Sequence, residues 1–388
     1  MSKNQFETEA IRTQLERSQY LEHSNPLYLT SSYVFEDAED MRVSFTEEKK
    51  RNVYSRYSNP NTSKFIEKVC KMEVAESGYA FASGMSAVFS TFAALLNSGD
   101  HIVSLQNIFG STQALFNTVL PKWQISTDYF GINELNKVED LIQPNTKVIY
   151  AESSTNPGVD ILDIQYLGDI AKRYNILLII DNCFATPYLQ QPIKFGADLV
   201  IHSATKLMDG QGRVLGGVTV GRLELIEKIT FFARNSGPAL SPFNAWVLSK
   251  SIQTLPVRVD KHCENALGVA RFLESHKNVA FVKYPFLKSH PQHNLAKKHM
   301  RLGGSIVSFE IKGGIDAGRK FLDAIKLCKL SANLGDTRTI VTHPSSTTHA
   351  KLSREDRLKT GITDGLIRVS VGLEHIEDII KDIKQALG

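Results

Sequence analysis

The sequence predicts an α/β protein in which a mostly parallel sheet is followed by a smaller C-terminal α+β domain. One observation is that five short runs are apolar throughout, which is typical of strands buried on both faces of a parallel sheet. A second is that stretches long enough for a helix separate most of these runs. A third is that alternating strands and amphipathic helices replace this pattern after about residue 250.

Each predicted element follows from its local pattern. The buried strands are expected at HIVSL (101–105), KVIYA (147–151), ILLII (176–180), DLVIH (198–202) and GGVTV (216–220). The helices among them are expected at ASGMSAVFSTFAALL (82–96), STQALFNTVLPKW (111–123) and IQYLGDIAKRYN (164–175). The half-exposed strands of the second domain are GGSIVSFEI (303–311) and DGLIRVSVGLE (364–374). Its amphipathic helices are AGRKFLDAIKL (317–327) and EDIIKDIKQAL (377–387).

The composition excludes several classes of function. The chain has 388 residues, of which 42% are hydrophobic and 22% charged, and its net charge is +4. The basic run KKR (49–51) is short, so the sequence predicts no nucleic-acid partner. The polar N-terminus lacks the apolar core of a signal peptide, and no run approaches about 18 apolar residues, so neither export nor a membrane span is expected.

The spacing of cysteines and histidines predicts neither a disulfide framework nor a metal site. The four cysteines are far apart and form no Cys-x-x-Cys pair. The histidines within 290–299 and 343–349 match no usual ligand pattern. A reducing cytoplasm therefore fits this chain.

Polar side chains follow three of the predicted strands, at the carboxyl ends where such sheets bind ligands. Asp181 follows ILLII, Lys206 lies in the HSATK segment after DLVI, and Glu152 follows KVIYA. Each has an ordinary structural explanation when taken singly, such as a cap, a turn or an exposed lysine. Together they fit pyridoxal phosphate, which needs a lysine for its aldehyde, an acid facing its ring nitrogen and donors for its phosphate.

The phosphate donors are also present in the pattern. The helix beginning near Gly84 offers free backbone N–H groups and the positive end of its dipole. Ser203 and Thr205 add hydroxyl groups beside Lys206. Asp181 precedes Lys206 by one strand, so both are expected at the same edge of the sheet.

Seven segments in this order resemble one enzyme family: YSRYSNP, FASGMSA, AESSTNP, IIDNCFATP, SATKLMDGQG, HPSSTTH and LIRVSVGLE. By these segments the chain resembles the Cys/Met-metabolism family of pyridoxal-phosphate enzymes from about residue 20 to its C-terminus. The resemblance implies an aspartate-aminotransferase-like fold (fold type I) and a homotetramer built from two dimers. The sequence pattern divides the chain into a polar N-terminal arm (1–60), a cofactor-binding domain (61–250) and a C-terminal domain (251–388), and the resemblance implies that the arm contributes to the neighbouring subunit.

The matching motifs imply roles for individual residues. Lys206 corresponds to the lysine that forms the Schiff base with the cofactor, and Asp181 to the partner of its ring nitrogen. The expected phosphate ligands are Gly84, Met85, Ser203 and Thr205. Tyr54 and Arg56 resemble the pair that reaches the phosphate of the neighbouring subunit.

The resemblance also implies a substrate site. Arg368 in LIRVS corresponds to the clamp on the substrate α-carboxylate, a task that suits a bidentate guanidinium. Asn156 is expected beside the phenolic oxygen of the cofactor and the substrate carboxylate, and Asn333 is expected to contribute to substrate binding.

Position 109 departs from the family. Many members have Tyr there, whose ring stacks on the cofactor and whose hydroxyl can move protons. Phe109 retains the ring but not the hydroxyl. Ser111 stands near where γ-lyases that cleave methionine often have Cys.

The segment MDGQGRVLGG resembles the O-succinylhomoserine sulfhydrylases within this family, as does ANLGDTRTIVTHP (332–344). The expected activity is that of an alkyl-group transferase of methionine biosynthesis, which converts O-succinylhomoserine and hydrogen sulfide to homocysteine and succinate. The alternatives are cystathionine γ-synthase, which uses cysteine, and a γ-lyase acting on homocysteine, methionine or cystathionine. Arg213 is a candidate for holding the succinyl group, and pairing with Asp209 is the alternative.

Overall fold

The computed structural model describes residues 4–388, except for the side chain of Lys359. Within this range, the larger sheet has the strands Ser77–Phe81 (β1), His101–Leu105 (β2), Ser126–Phe130 (β3), Thr146–Glu152 (β4), Leu177–Asp181 (β5), Leu199–Ser203 (β6) and Gly217–Gly221 (β7). Their spatial order is β1-β7-β6-β5-β4-β2-β3. Strands β2 to β6 are parallel, whereas β7 is antiparallel to both of its neighbours.

The smaller sheet is mixed and lies in the C-terminal part of the chain. Its strands are Val279–Lys283 (β8), Ile306–Ile311 (β9), Lys329–Leu330 (β10), Ile340–Thr342 (β11) and Leu366–Ser370 (β12). The order is β10-β11-β12-β9-β8, and every pair except β10–β11 is antiparallel.

Helices cover both sheets. Within residues 4–388 they are Phe6–Arg12 (α1), Ala38–Phe45 (α2), Pro60–Glu73 (α3), Gly84–Leu95 (α4), Gly110–Ala114 (α5), Ile164–Tyr174 (α6), Thr186–Leu189 (α7), Leu223–Ser236 (α8), Pro242–Ile252 (α9), Leu255–Glu274 (α10), His293–His299 (α11), Gly314–Ala324 (α12), Arg354–Lys359 (α13) and Ile376–Leu387 (α14). Helix α4 packs on β6 and β7, α3 packs on β1 and β7, and α6 packs on β4 and β5.

Two apolar cores lie along helix α10. Its residue Val259 belongs to the core of the larger sheet, together with the buried residues of β2, β4, β5 and β6. Its later residues Ala266 and Val269 belong to the core of the smaller sheet, where Ile379 and Ile383 of α14 pack at helical spacing. One long helix therefore contributes to both cores.

The predicted α/β architecture with a second, smaller sheet is confirmed, and all five apolar runs are strands. Strands β1 and β3 were not expected, because SGYAF contains glycine and STDYF is a polar edge strand with one neighbour. The helix predicted over 111–123 is instead the short α5, a π-helical turn (Leu115–Val119) and a 3₁₀ turn (Leu120–Trp123). Pro121 lies in the last of these turns, where it cannot donate a helical hydrogen bond.

Candidate active site

The carboxyl ends of β4, β5 and β6 bring the predicted polar residues to one edge of the sheet. Glu152 ends β4 and is paired in register with Asp181, which ends β5. Asp181 is in turn paired with Ile201 of β6, two residues before Ser203. Lys206 lies in the turn that follows β6, where its backbone N–H donates to the carbonyl of Ser203.

The amine of Lys206 is held at the centre of this edge. Its Nζ donates to Oδ1 of Asn333 at 2.6 Å. Burial lowers the pKa of Lys206, and the nearby charge of Arg368 lowers it further. Both effects increase the fraction of neutral amine, which is the form that reacts with an aldehyde.

Two carboxyl groups lie side by side at the floor of the site. Oδ1 of Asp181 accepts the backbone N–H of Cys183 at 2.9 Å. Burial raises the pKa of Asp181 to about 6. Burial and then the charge of Asp181 raise the pKa of Glu152 well above its usual range. A cation placed against Asp181, such as a protonated ring nitrogen, would relieve this unfavourable burial.

Arg368 on β12 is a buried cation without an anionic partner. Its Nη1 donates to Oδ1 of Asn156 at 3.0 Å, and its Nη2 donates to the carbonyl of Asn333 at 3.1 Å. Its Nε has no hydrogen-bond partner, and no carboxylate of the described residues forms an ion pair with it. Burial lowers the pKa of Arg368 to about 10. A substrate carboxylate would satisfy this guanidinium.

The N-terminus of α4 meets the end of β6. Ser83 caps the helix through a reciprocal capping box with Ser86. A Cβ on Gly84 would lie 2.7 Å from Cβ of Ser203, so only glycine allows the helix to begin this close to the strand. The hydroxyl of Ser203 therefore lies beside the free N–H groups of α4, which is an arrangement suited to a phosphate.

The other two predicted phosphate ligands lie next to Ser203 and the start of α4. Met85 follows Gly84 in the first turn of α4, and its Sδ accepts a weak hydrogen bond from Thr112 at 3.8 Å. The hydroxyl of Thr205 already bonds Gly216, since it accepts the backbone N–H at 3.1 Å and donates to the carbonyl at 3.3 Å.

Phe109 lies at the start of α5 with its ring directed away from the core. Its backbone N–H donates to Oε1 of Glu152 at 2.5 Å. The residue is 45% exposed, and none of the aromatic rings in the described part of the chain packs on it. The ring is therefore free to cover a flat ligand.

Tyr54 and Arg56 lie apart from these residues within the chain. Arg56 packs on the rings of Tyr57 and Tyr54 at 4.8 and 5.6 Å, and it donates to the carbonyl of Arg234. Across residues 4–388, none of the hydrogen bonds made by Tyr54 or Arg56 reaches Lys206.

The DGQGR segment is built into the fold next to Lys206. Asp209 is fully buried, and it accepts hydrogen bonds from the guanidinium and the backbone N–H of Arg213. Of the two alternatives for Arg213, the structure shows the pairing with Asp209. Gly210 and Gly212 have φ values of 71° and 66°, which favour glycine at both positions.

Several residues around the site were missed by sequence reasoning. Arg258 of α10 donates to the carbonyl of Leu207, directly after Lys206, at 2.7 Å. Glu73 at the end of α3 is fully buried, and its Oε1 receives hydrogen bonds from His202 at 2.7 Å and Asn182 at 3.1 Å. Helical periodicity places both residues on the core-facing sides of their helices. A charged residue at such a position is unusual, and this was the signal by which the sequence could have revealed them.

The fold and the site together define a class, the pyridoxal-phosphate-dependent enzymes. Lys206 would bond the aldehyde of the cofactor, Asp181 would face its ring nitrogen, and Ser203 with the start of α4 would hold its phosphate. The guanidinium of Arg368, whose Nε has no hydrogen-bond partner among the described residues, and the close approach of α4 to β6 at Gly84 fit this assignment.

Comparison with known proteins identifies the family. Residues 7–388 match the family described as Cys/Met metabolism PLP-dependent enzymes, and the chain belongs to that family. An O-succinylhomoserine sulfhydrylase of Pseudomonas aeruginosa is 45% identical over 98% of this chain and 95% of that protein. An L-methionine gamma-lyase of Fusobacterium nucleatum subsp. nucleatum is 40% identical over 100% of this chain and 99% of that protein.

A solved structure shows the same fold. The crystal structure of an O-acetylhomoserine (thiol)-lyase from Campylobacter jejuni has a TM-score of 0.94 and 36% identity, covering 98% of this chain and 99% of that chain. That structure contains N'-pyridoxyl-lysine-5'-monophosphate at its position 205. These findings confirm the predicted family, fold class and cofactor.

Two features are absent from residues 4–388, a cluster of metal-binding side chains and a membrane-spanning helix. In residues 4–388, no group of three or more His, Cys, Asp or Glu side chains could hold a metal ion. Over the same residues, each helix is too short or too polar to cross a membrane.

Proposed function

We propose that the protein replaces the succinyloxy group on Cγ of O-succinylhomoserine by sulfide, which gives homocysteine and succinate. Phe109 is the observation that carries this choice. Hydrogen sulfide ionises near neutrality and needs little help from a base, so it can react at a site whose stacking ring has no hydroxyl. The 45% identity to the sulfhydrylase of Pseudomonas aeruginosa also supports the proposal.

The proposed binding of substrate depends on Arg368. Its guanidinium lies between Asn156 and Asn333 and would take the α-carboxylate in a bidentate pair. This contact would place the α-carbon of the substrate near Nζ of Lys206, because Asn333 contacts both cationic side chains. Asn156 and Asn333 would thus orient the two groups relative to each other.

The proposed proton transfers depend on Lys206. Pyridoxal phosphate supplies an electron sink for the bound amino acid. The amine of Lys206 would remove the proton from the α-carbon, for which it must be neutral, and the resulting ammonium group would return a proton later. Its lowered pKa favours the neutral form. Asp181 would hold the positive charge of the ring nitrogen in place.

A competition experiment tests the choice of nucleophile. The holoenzyme is supplied with O-succinylhomoserine and equal concentrations of sulfide and cysteine, and the products are quantified. Homocysteine is the expected main product. Cystathionine as the main product would favour cystathionine γ-synthase, and release of 2-oxobutyrate from methionine or homocysteine without a nucleophile would favour a γ-lyase. In each case Lys206→Ala should abolish turnover and serves as the control.

We further propose that the chain acts in the cytoplasm as a homotetramer of two dimers, with residues 1–60 as an arm that completes the neighbouring site. Its domains would be 61–250 and 251–388. Tyr54 and Arg56 support a shared site, because their contacts lie away from Lys206. The arm also exposes large apolar side chains: Tyr20, Leu21, Leu29 and Val34. Mixing inactive Lys206→Ala subunits with inactive Arg56→Ala subunits should restore activity, because mixed dimers would contain one site with both native residues. If activity stays absent although mixed dimers are shown to form, the result would argue against a shared site.

A further inference from the structure

Glu152 lies where three parts of the cofactor site meet. It is the last residue of β4, 6% exposed, and it is paired in register with Asp181. Its Oε1 accepts the backbone N–H of Phe109 at 2.5 Å, and the nearby backbone N–H of Asn156 also favours the ionised form of this carboxyl group, which acts against the rise in its pKa. One side chain therefore connects the segment of the stacking ring, the loop that contacts Arg368, and the strand of Asp181.

Phe109 depends on its backbone for its orientation. A phenylalanine ring has no polar atom through which the protein could fix it. The side chain of Phe109 makes no capping hydrogen bond at the start of α5, and the residue is 45% exposed. Its backbone makes two hydrogen bonds: the N–H donates to Glu152 at 2.5 Å, and the carbonyl accepts the N–H of Gln113 at 3.0 Å within the helix.

A glutamate at this position is energetically unfavourable for the fold. Burial and the neighbouring charge of Asp181 both act against its ionised form. A second buried carboxyl group beside Asp181 therefore calls for a role besides stability.

We propose that Glu152 is a positioning residue that holds the ring of Phe109 against the face of the bound cofactor and fixes the Asn156 loop relative to Asp181. Glu152 acts through these segments and transfers no proton. The proposal depends on the cofactor and is independent of which sulfur compound the enzyme uses.

The visible circular dichroism of the bound cofactor tests this role, because that signal reports the asymmetric surroundings of the ring. Glu152→Asp withdraws the carboxylate by one methylene and should lose the contact with Phe109. We expect the signal per bound cofactor to fall at least about twofold and cofactor dissociation to accelerate about tenfold, as for one lost buried hydrogen bond. Glu152→Gln retains one acceptor oxygen and should give an intermediate result.

Glu310→Gln is the matched control. Glu310 is also a strand glutamate that accepts a backbone N–H, from Gly365 at 3.1 Å, but it lies in β9 of the smaller sheet. Its variant should keep the native signal per bound cofactor. Comparison of melting temperatures separates a local effect from general destabilisation.

A double substitution distinguishes positioning from mere structural support. If Glu152 acts through the ring, Glu152→Asp should change the signal little once Phe109→Ala has removed that ring. Equal effects of Glu152→Asp with and without the ring would overturn the proposal, as would a native signal in both Glu152 variants. Should Glu152→Asp fail to fold, Glu152→Gln with and without Phe109→Ala gives the same decision. Because none of these measurements uses sulfide or a succinyl ester, failure of the proposed reaction would leave this result unaffected.

Discussion

The guanidinium of Arg213 forms a two-point contact with the fully buried carboxylate of Asp209, with Nε and Nη2 at 3.0 and 2.8 Å from Oδ1. Arg213→Ala should therefore destabilise the protein, because it leaves a buried charge without its partner. Since the arginine side chain is 41% exposed, we expect the free energy of unfolding to fall by about 1–3 kcal/mol. Denaturant unfolding measures this value. KM values for succinyl and acetyl esters should change equally, and a selective rise for the succinyl ester would instead assign Arg213 to substrate binding.

Asp181 should make the stability of the cofactor-free protein depend on pH. Its pKa in the fold is raised to about 6 from 3.8, so its favourable contribution is complete below about pH 4 and is lost as pH rises through about 6. Asp181→Asn should therefore be more stable than the native apoprotein at about pH 8, by on the order of 2 kcal/mol, and similar to it near pH 4.

Unfolding of both apoproteins by denaturant at these two pH values measures the effect. A stability difference that does not change with pH would contradict it. In the proposed site, the ring nitrogen of the bound cofactor would give Asp181 a cationic partner, so the same substitution should weaken cofactor binding.

The strand ends could be predicted from the sequence because their signal is local. An uninterrupted apolar run followed by a polar residue specifies both a buried strand and the edge at which it ends, as for Asp181 and Lys206. The signal for the start of α4 is equally local, since Ser83 and Ser86, three positions apart, form its capping box. These short-range patterns were sufficient to locate the candidate site.

The supports of the site could not be predicted because their contacts are distant in sequence. Glu73 and His202 are 129 positions apart, and Arg258 lies 51 positions from Leu207. The pairing of Arg213 also depended on the fold, since Asp209 is fully buried next to it. Tertiary packing, which the sequence pattern does not specify, determines each of these cases.

The buried contact of Glu73 with His202 and Asn182 should stabilise the sheet edge at the ends of β5 and β6. His202 precedes Ser203 and Asn182 follows Asp181, so one carboxylate connects both strand ends. Glu73→Ala should lower the free energy of unfolding by about 3–5 kcal/mol, as expected when one partner of a buried pair is removed.

Glu67→Ala on the same helix is the control for Glu73. Its ion pairs with Lys64 and Lys71 lie on the surface, where about 1 kcal/mol or less is expected. Unfolding free energies of the two variants measure the contrast, and equal losses would argue against the role of Glu73.

Gly84→Ala should weaken the phosphate site selectively. The added Cβ would lie 2.7 Å from Cβ and 2.9 Å from Oγ of Ser203, so α4 must move away from β6. Such overpacking costs about 1–3 kcal/mol, which corresponds to a loss in affinity of about tenfold or more for pyridoxal phosphate. Pyridoxal, which lacks the phosphate, should lose much less affinity for the apoprotein.

Gly131→Ala is the control, because there the three atoms nearest to the added Cβ all belong to the flexible side chain of Glu134. Equal losses for the two ligands would show that Gly84 supports the fold without shaping the phosphate site.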